Sequence, residues 1–495
     1  MRCFLITTGA VLALAVAGAA QEEFERLRFH AAPRPLAEGA VTADWPHLLG
    51  PAFDASTAEA PLLADWPAGG PAKVWEVEMG EGYAAPAVAG GRVYLFHALD
   101  GRETLECLDA GTGRRHWLVD YPVEYRDRYG FSNGPRGSPV VGDGVVVTLG
   151  VTSVLQAVDA GTGALLWRKD LRELYRVPQD FFGHGSTPLV LDDRVIVQVG
   201  GKTERMDPAD SKRERAAKLA TAGVSVAAFG LREGGVLWEL PHAWGASYAS
   251  PVPAEMHGRR VVLVFAGGES DPPTGGLLCV DPTDGTLLSQ HPWRANDYIS
   301  ATASSPVVIP GKNRVFVTTC YPKNRPLGGV MIEYDAAFQG SEVWTSSRVG
   351  VHWMTPVWFD GHLYAVDGER ENNSRLVCVD AETGAEVWEK TLMWEDAELA
   401  ARLGRSSVNL GFLRGSLLRC GDRFLALGEL GTLMWLKLDP SGCEVLGQCQ
   451  PFYALNTWAL PVVSGGLLYL CQQGDDIDPA EKGGPRVLCL DLRGP

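Results

Sequence analysis

One set of polar and aromatic side chains and one carboxylate carry whatever chemistry this chain of 495 residues can perform. Tyr83, Asn133 with Arg136, His184, Tyr248, Thr302, His352 with Trp353, Asn409, and Asn456 with Trp458 stand at corresponding places. Each lies just ahead of a small residue–proline pair or the segment that replaces it. Hydroxyls, amides and imidazoles exchange hydrogen bonds, indoles and phenols offer stacking faces, and Arg136 supplies a charge that cannot be lost. Singly, each side chain has a structural use as a turn cap or packing ring. As a set they suit a polar, anionic or glycan-like ligand, bound rather than transformed. Asp297 in "ANDYIS" is the best-placed acid for a general base. There is no H-E-x-x-H, G-x-S-x-G or P-loop, and the ten histidines show no metal-ligand spacing. Asp-Gly pairs such as Asp100-Gly101, Asp284-Gly285 and Asp360-Gly361 read as turns rather than calcium loops. No metal site is expected.

The elements that position these residues come from a repeat. "CLDAGTGRRHW" (107–117) returns as "AVDAGTGALLW" (157–167) and "CVDAETGAEVW" (378–388). Its Asp recurs at 109, 159, 281, 335, 380, 439 and 491, and Phe229 holds the slot between 159 and 281. The slots lie 45–59 residues apart, with one gap of 70. Upstream of each stands a second phrase, a small residue and Pro followed by a turn and a β-run, as in "SPVVGDGVVVTL" (138–149) and "TPVWFDGHLYAV" (355–366). "SLLRCGDRFLAL" (416–427) lacks the Pro. Glycine- and Asp-rich turns between β-branched runs are hairpin signals, and four strands per unit make the blade of a propeller.

The fold class is therefore all-β: an eight-bladed β-propeller of four-stranded antiparallel blades. The last unit stops at "VLCLDLRGP", one strand short, while "AKVWEVEM" (72–79) is one strand too many at the start. Pairing the two closes the ring and removes two sheet edges. The repeat's Trp, at 117, 167, 238, 344 and 388, fills the wedge between blades; Ser289 and Gly447 replace it in two. Two insertions stand out. Residues 202–223 read as a solvated loop with a short helix, and "WEDAELAARLG" (394–404) reads as a helix beside the candidate site.

Arg2 followed by an apolar run from Cys3 to Ala17 and small residues to Ala20 reads as a secretory signal. The division is 1–20 signal peptide, 21–72 N-terminal extension and 73–495 propeller, with a periplasmic or secreted product. The run is short for a spanning helix, and no other stretch is long and apolar enough to be one. A net charge of −16 argues against nucleic acid. The expected product is a monomer that meets an unknown protein or an anionic small molecule. Cys107, Cys279, Cys378 and Cys489 sit two residues before the repeat's Asp, too far apart to pair, and read as small buried strand residues. Cys443 and Cys449 either close a local loop or stay free. The odd number of cysteines after cleavage leaves at least one thiol.

The Asp–x–x–Thr–Gly–x–x–x–Trp phrase resembles the pyrroloquinoline-quinone (PQQ)-type propeller repeat, over residues 73–495. The superfamily includes quinoprotein alcohol dehydrogenases and the propeller lipoprotein of the outer-membrane assembly machinery. The chain also resembles secreted bacterial PQQ-like propellers with a Trp-Pro leader, here "DWPHLLGP" (44–51) and "DWPAGGPAKVW" (65–75). The dehydrogenase branch implies PQQ and Ca²⁺ at the axis, an Asp base and a disulfide between adjacent cysteines. This chain has neither an adjacent cysteine pair nor a C-x-x-C-H haem motif. A non-catalytic scaffold without cofactor is the leading expectation, with a PQQ-dependent alcohol dehydrogenase the alternative. Arg136, in the tight turn "SNGPRGSP", is expected to stand at the channel mouth and select anions.

Overall fold

Trp117 shows what the repeated phrase is for. In the computed structural model, its indole nitrogen donates to the Ala160 carbonyl of the next blade at 3.2 Å. The ring lies against Gly163 of that blade's turn, where a Cβ would meet indole carbon at 2.7 Å and φ is +74°. The turn exists because Asp159 Oδ1 accepts from both the amide and the hydroxyl of Thr162. The Asp folds the turn, the Gly clears a seat, and the Trp of the preceding blade occupies it. Trp75, Trp167, Trp238, Trp344 and Trp388 dock in the same way on carbonyls of Ala110, Leu231, Pro282, Ala381 and Asp439.

The structure describes residues 24–494 except 68, 203–208, 210, 220–222, 269–273, 298–299, 323–325, 369–373 and 479–482. The expected signal peptide lies outside the described residues. Eight antiparallel sheets form the eight blades. The first runs from Ala87–Ala89 through Arg92–Leu99 and Arg102–Asp109 to Arg115–Pro122. In the eighth, the N-terminal strand Ala72–Glu78 pairs with Arg486–Asp491, placing Trp75 opposite Cys489. The expected closure holds. An unforeseen strand, Leu27–Phe29, adds a fifth member outside it. Every blade carries a bulge where its outer strand passes the repeat's Cys or equivalent, for example between Cys107 and Leu108. Bulged outer strands make poor templates for edge-to-edge pairing.

The small residue before proline latches the blades around the axis. Ser138, Thr187, Ser250, Ser305 and Thr355 each accept, through the hydroxyl, the backbone N–H of the corresponding residue one blade earlier, at 3.0–3.1 Å. Pro follows at no cost, because the innermost strand has no ladder partner on its axial side.

The N-terminal extension is no separate domain. Trp45 exchanges two backbone bonds with Val88 of blade 1, and the Pro46 carbonyl accepts from Val141 of blade 2. Leu49, Phe53 and Ala55 pack against inner residues of the middle blades. Ser56–Thr57 runs parallel to the inner strand of blade 7. The Glu59 carboxylate then receives amides of Gly465 and Gly466 in blade 8 and Ala43 within the extension. This segment crosses the axis at the end where the inner hairpins turn, plugging the channel from below. Farther on, Trp66 lies beside Gly447, the position where blade 7 lacks its Trp.

All nine described cysteines are thiols. Cys443 and Cys449 sit at opposite ends of one strand, across from Leu438 and Leu433, so the local disulfide does not form. Helices cover Lys212–Leu219 and Ala397–Arg402 within the two insertions. The latter is capped by Asp396, whose carboxylate also accepts from the Tyr453 hydroxyl.

One buried acid between blades 1 and 2 gives a pH signature. Glu103 accepts from the Tyr121 hydroxyl at 2.6 Å and from Val151 N–H at 2.7 Å. Burial raises its carboxyl from 4.5 to about 7. Between those values the unfolded chain is the more ionised, so this group's stabilisation is full below the lower one and lost as pH rises through the upper. Glu103→Gln should therefore melt above the wild type at pH 8, with the gap closing toward pH 5. Equal melting differences at both pH values would show that Glu103 titrates normally.

Candidate functional site

The loops that enter the innermost strands converge on the face opposite the plug. Three residues ahead of the proline position stand Tyr83, Arg136, Gly185, Tyr248, Ala303, Trp353, Arg414 and Trp458, one from each blade. The Trp458 ring centroid lies 4.5 Å from that of Trp353 and 4.8 Å from that of Tyr83. Arg414 rests over Trp353 at 4.5 Å and over Trp458 at 5.5 Å. Its guanidinium is paired with Glu429, which also accepts from Trp458 Nε1 at 2.8 Å. The carboxylate thus holds cation and indole in one arrangement.

The aromatic row continues outward. Phe131 is 5.5 Å from Trp458 and 5.9 Å from Phe182, and Tyr129 is 5.5 Å from Phe182. Tyr129 and Phe131 are 54% and 45% exposed at a loop tip, leaving apolar ring surface in solvent. On the other side, His352 stacks at 4.3 Å on Trp353 and meets the Tyr321 hydroxyl at 3.0 Å.

Of the expected residues, Tyr83, Arg136, Tyr248, His352, Trp353 and Trp458 belong to this assembly. Arg136 does reach the mouth but is not a free anion selector. It is paired with Asp127 at 2.6 Å and also donates to the Gly134 and Ser132 carbonyls. A guanidinium held in the loop without a carboxylate is too costly, so the loop supplies one. Asn133 ties two loops together, its amide nitrogen donating to Glu81 and its oxygen accepting from Asp127 N–H. His184 is buried against the Ser153 hydroxyl at 3.2 Å, and desolvation lowers it to about 4, keeping it neutral. Tyr248 accepts the Phe182 amide, and Thr302, also buried, gives its carbonyl to Tyr248 N–H.

Asn409 is a correction. It lies exposed on a short strand paired with Met393–Glu395, and Arg414 takes the mouth position in its place. The signal was present: "RGSLL" at 414–418 aligns with "RGSPV" at 136–140 once the missing Pro is ignored. Asn456 holds a left-handed turn, φ 59°, two residues before Trp458. Asp297 offers its carbonyl to Arg294 and lies within electrostatic reach of that guanidinium.

PQQ and Ca²⁺ do not fit these residues. A flat cofactor lying across the axis needs the space that Tyr83, Trp353 and Trp458 fill by mutual contact. Both mouth arginines are committed to carboxylates, and no group of three or more His, Cys, Asp or Glu suited to a metal occurs among the described residues. A cavity of about 310 Å³ lies beside blade 6, between Leu376, Leu392 and Phe412.

Comparison with known proteins agrees with the architecture. The chain is similar to BamB from Moraxella catarrhalis, at 12% identity with TM-score 0.50, covering 86% of this chain and 98% of that one. It is similar to the quinohemoprotein alcohol dehydrogenase of Comamonas testosteroni at 13% identity with TM-score 0.60, covering 91% of this chain and 81% of that one. Identities this low speak for fold alone. No curated protein matches the sequence. The family described as outer membrane protein assembly factor BamB matches residues 67–227 and 101–390, and with most of the propeller so covered, the chain belongs to that family of PQQ-like propellers.

Proposed function

We propose that this protein is a non-catalytic binding propeller, exported to the periplasm or beyond, that takes a ligand or partner protein on its loop face. The observation that carries the reading is the aromatic row from exposed Tyr129 and Phe131 to Trp458 and Trp353 at the axis. Exposed aromatic side chains beside arginine are the composition of binding hot spots. The N-terminal segment packs on the opposite end, and among the described residues the mouth offers stacking rings rather than a base and nucleophile in register. Membership of a family described by an assembly factor supports a scaffold. The N-terminal sequence supports export, and no helix among the described residues is long and apolar enough to cross a membrane.

The test against the dehydrogenase alternative is direct. Purified protein given PQQ and Ca²⁺ should neither reduce dye with alcohols nor show saturable quenching of tryptophan emission by PQQ. Alcohol-dependent turnover that collapses in Asp297→Asn would make it an enzyme.

A further inference from the structure

We propose that the mouth recognises neutral saccharide units, stacked on the exposed rings of Tyr129 and Phe131 at the outer end of the aromatic row. The inference rests on the loop face being the binding surface and narrows what binds there. Its first support is the state of the ring polar atoms. The Tyr83 hydroxyl donates to the Phe131 carbonyl at 3.1 Å, and Trp458 Nε1 donates to Glu429. An extended peptide read through these indole N–H and phenol O–H donors finds both engaged.

The second support is charge. Asp127 neutralises Arg136 and Glu429 neutralises Arg414, leaving an anion no free cation among these four side chains. Farther out, exposed Arg126 and Arg128 precede the tip, with Arg128 donating to the Gln179 carbonyl, and the hexagalacturonate comparator below tests them. The exposed Glu81 carboxylate, held by the Asn133 amide groups at 2.7 and 3.3 Å, keeps lone pairs for hydroxyl donors, and Asn456 is half-buried nearby in sequence to Trp458. The third support is shape. Tyr129, Phe182, Phe131, Trp458 and Trp353 follow one another at 5.5, 5.9, 5.5 and 4.5 Å, a row longer than one sugar ring. A hexopyranose presents an apolar C–H face and a rim of hydroxyls, which matches ring faces bordered by a carboxylate and amides.

The experiment is a tryptophan-fluorescence titration of the full chain with cellohexaose, maltohexaose and chitohexaose. A hexagalacturonate and a proline-rich decapeptide serve as comparators. At least one neutral sugar should saturate with a Kd of about 1 mM or tighter. Phe131→Ala, at an exposed tip, should weaken that binding about fivefold or more without moving the melting temperature. Trp458→Ala removes the ring that Phe131 leans on at 5.5 Å and should also weaken it. The proposal is overturned if no neutral sugar saturates, if Phe131→Ala binds as well as wild type, or if hexagalacturonate or the peptide binds more tightly. Failure here, with PQQ still inert, rejects the sugar and leaves the scaffold reading standing.

Discussion

Trp75→Ala is expected to cost about 3–5 kcal/mol of stability, the range for deleting a large aromatic ring from a packed core. Trp75 is fully buried, donates to the Ala110 carbonyl at 2.9 Å, sits against Gly113 and tilts onto Tyr469 at 5.9 Å. Its place is special because it rides on the strand that completes blade 8 while docking on blade 1. Losing it weakens the seam of the ring as well as one blade interface. Urea unfolding should show the lowered midpoint, and limited proteolysis should release fragments cut near residue 80. A loss below about 1 kcal/mol, the level of many exposed substitutions, would mean that the N-terminal strand contributes little to closure.

Glu429→Ala should rival it. Glu429 is 2% exposed and holds both Arg414 and the Trp458 indole. Removing it strands a guanidinium between two indoles, and breaking a buried pair from one side costs about 3–5 kcal/mol. The companion variant Arg414→Met with Glu429→Gln should recover most of the loss, because no unpaired charge then remains. Thermal melts of wild type, single and double variants decide the matter. A double variant no more stable than Glu429→Ala would show that the carboxylate serves Trp458 and not the cation.

The architecture was legible because each blade repeats its own construction. The Asp–Thr–Gly turn, the Trp eight residues on and the small residue before Pro are three contacts of one interface, written out in nearly every unit. The surplus strand at 72–79 could be matched with the missing one because both ends were counted in the same units. The plug was not legible. Trp45 meets Val88 in blade 1 and Glu59 meets Gly465, 406 residues away, and no period marks either. At the mouth, residue types were visible but pairings were not. Arg136 looked like a free charge because Asp127 lies in the same loop, nine residues away, and nothing in spacing says that the loop folds back. Arg414 was missed because Leu417 stands where the other blades place proline.

Ring closure also fixes an order of events. Arg34 binds Asp491, 457 residues away in sequence, and the strand Ala72–Glu78 waits for Arg486–Asp491. The strand Ala72–Glu78 therefore lacks its place in blade 8 until Arg486–Asp491 has been made. Contacts this distant are slow to form, because the entropy of closing so long a loop must be met before any reward arrives. Blades 1 to 7 each draw their four core strands from consecutive sequence, so the wait falls on the seam alone. A ring made in this way keeps one open seam until Arg486–Asp491 arrives to close it.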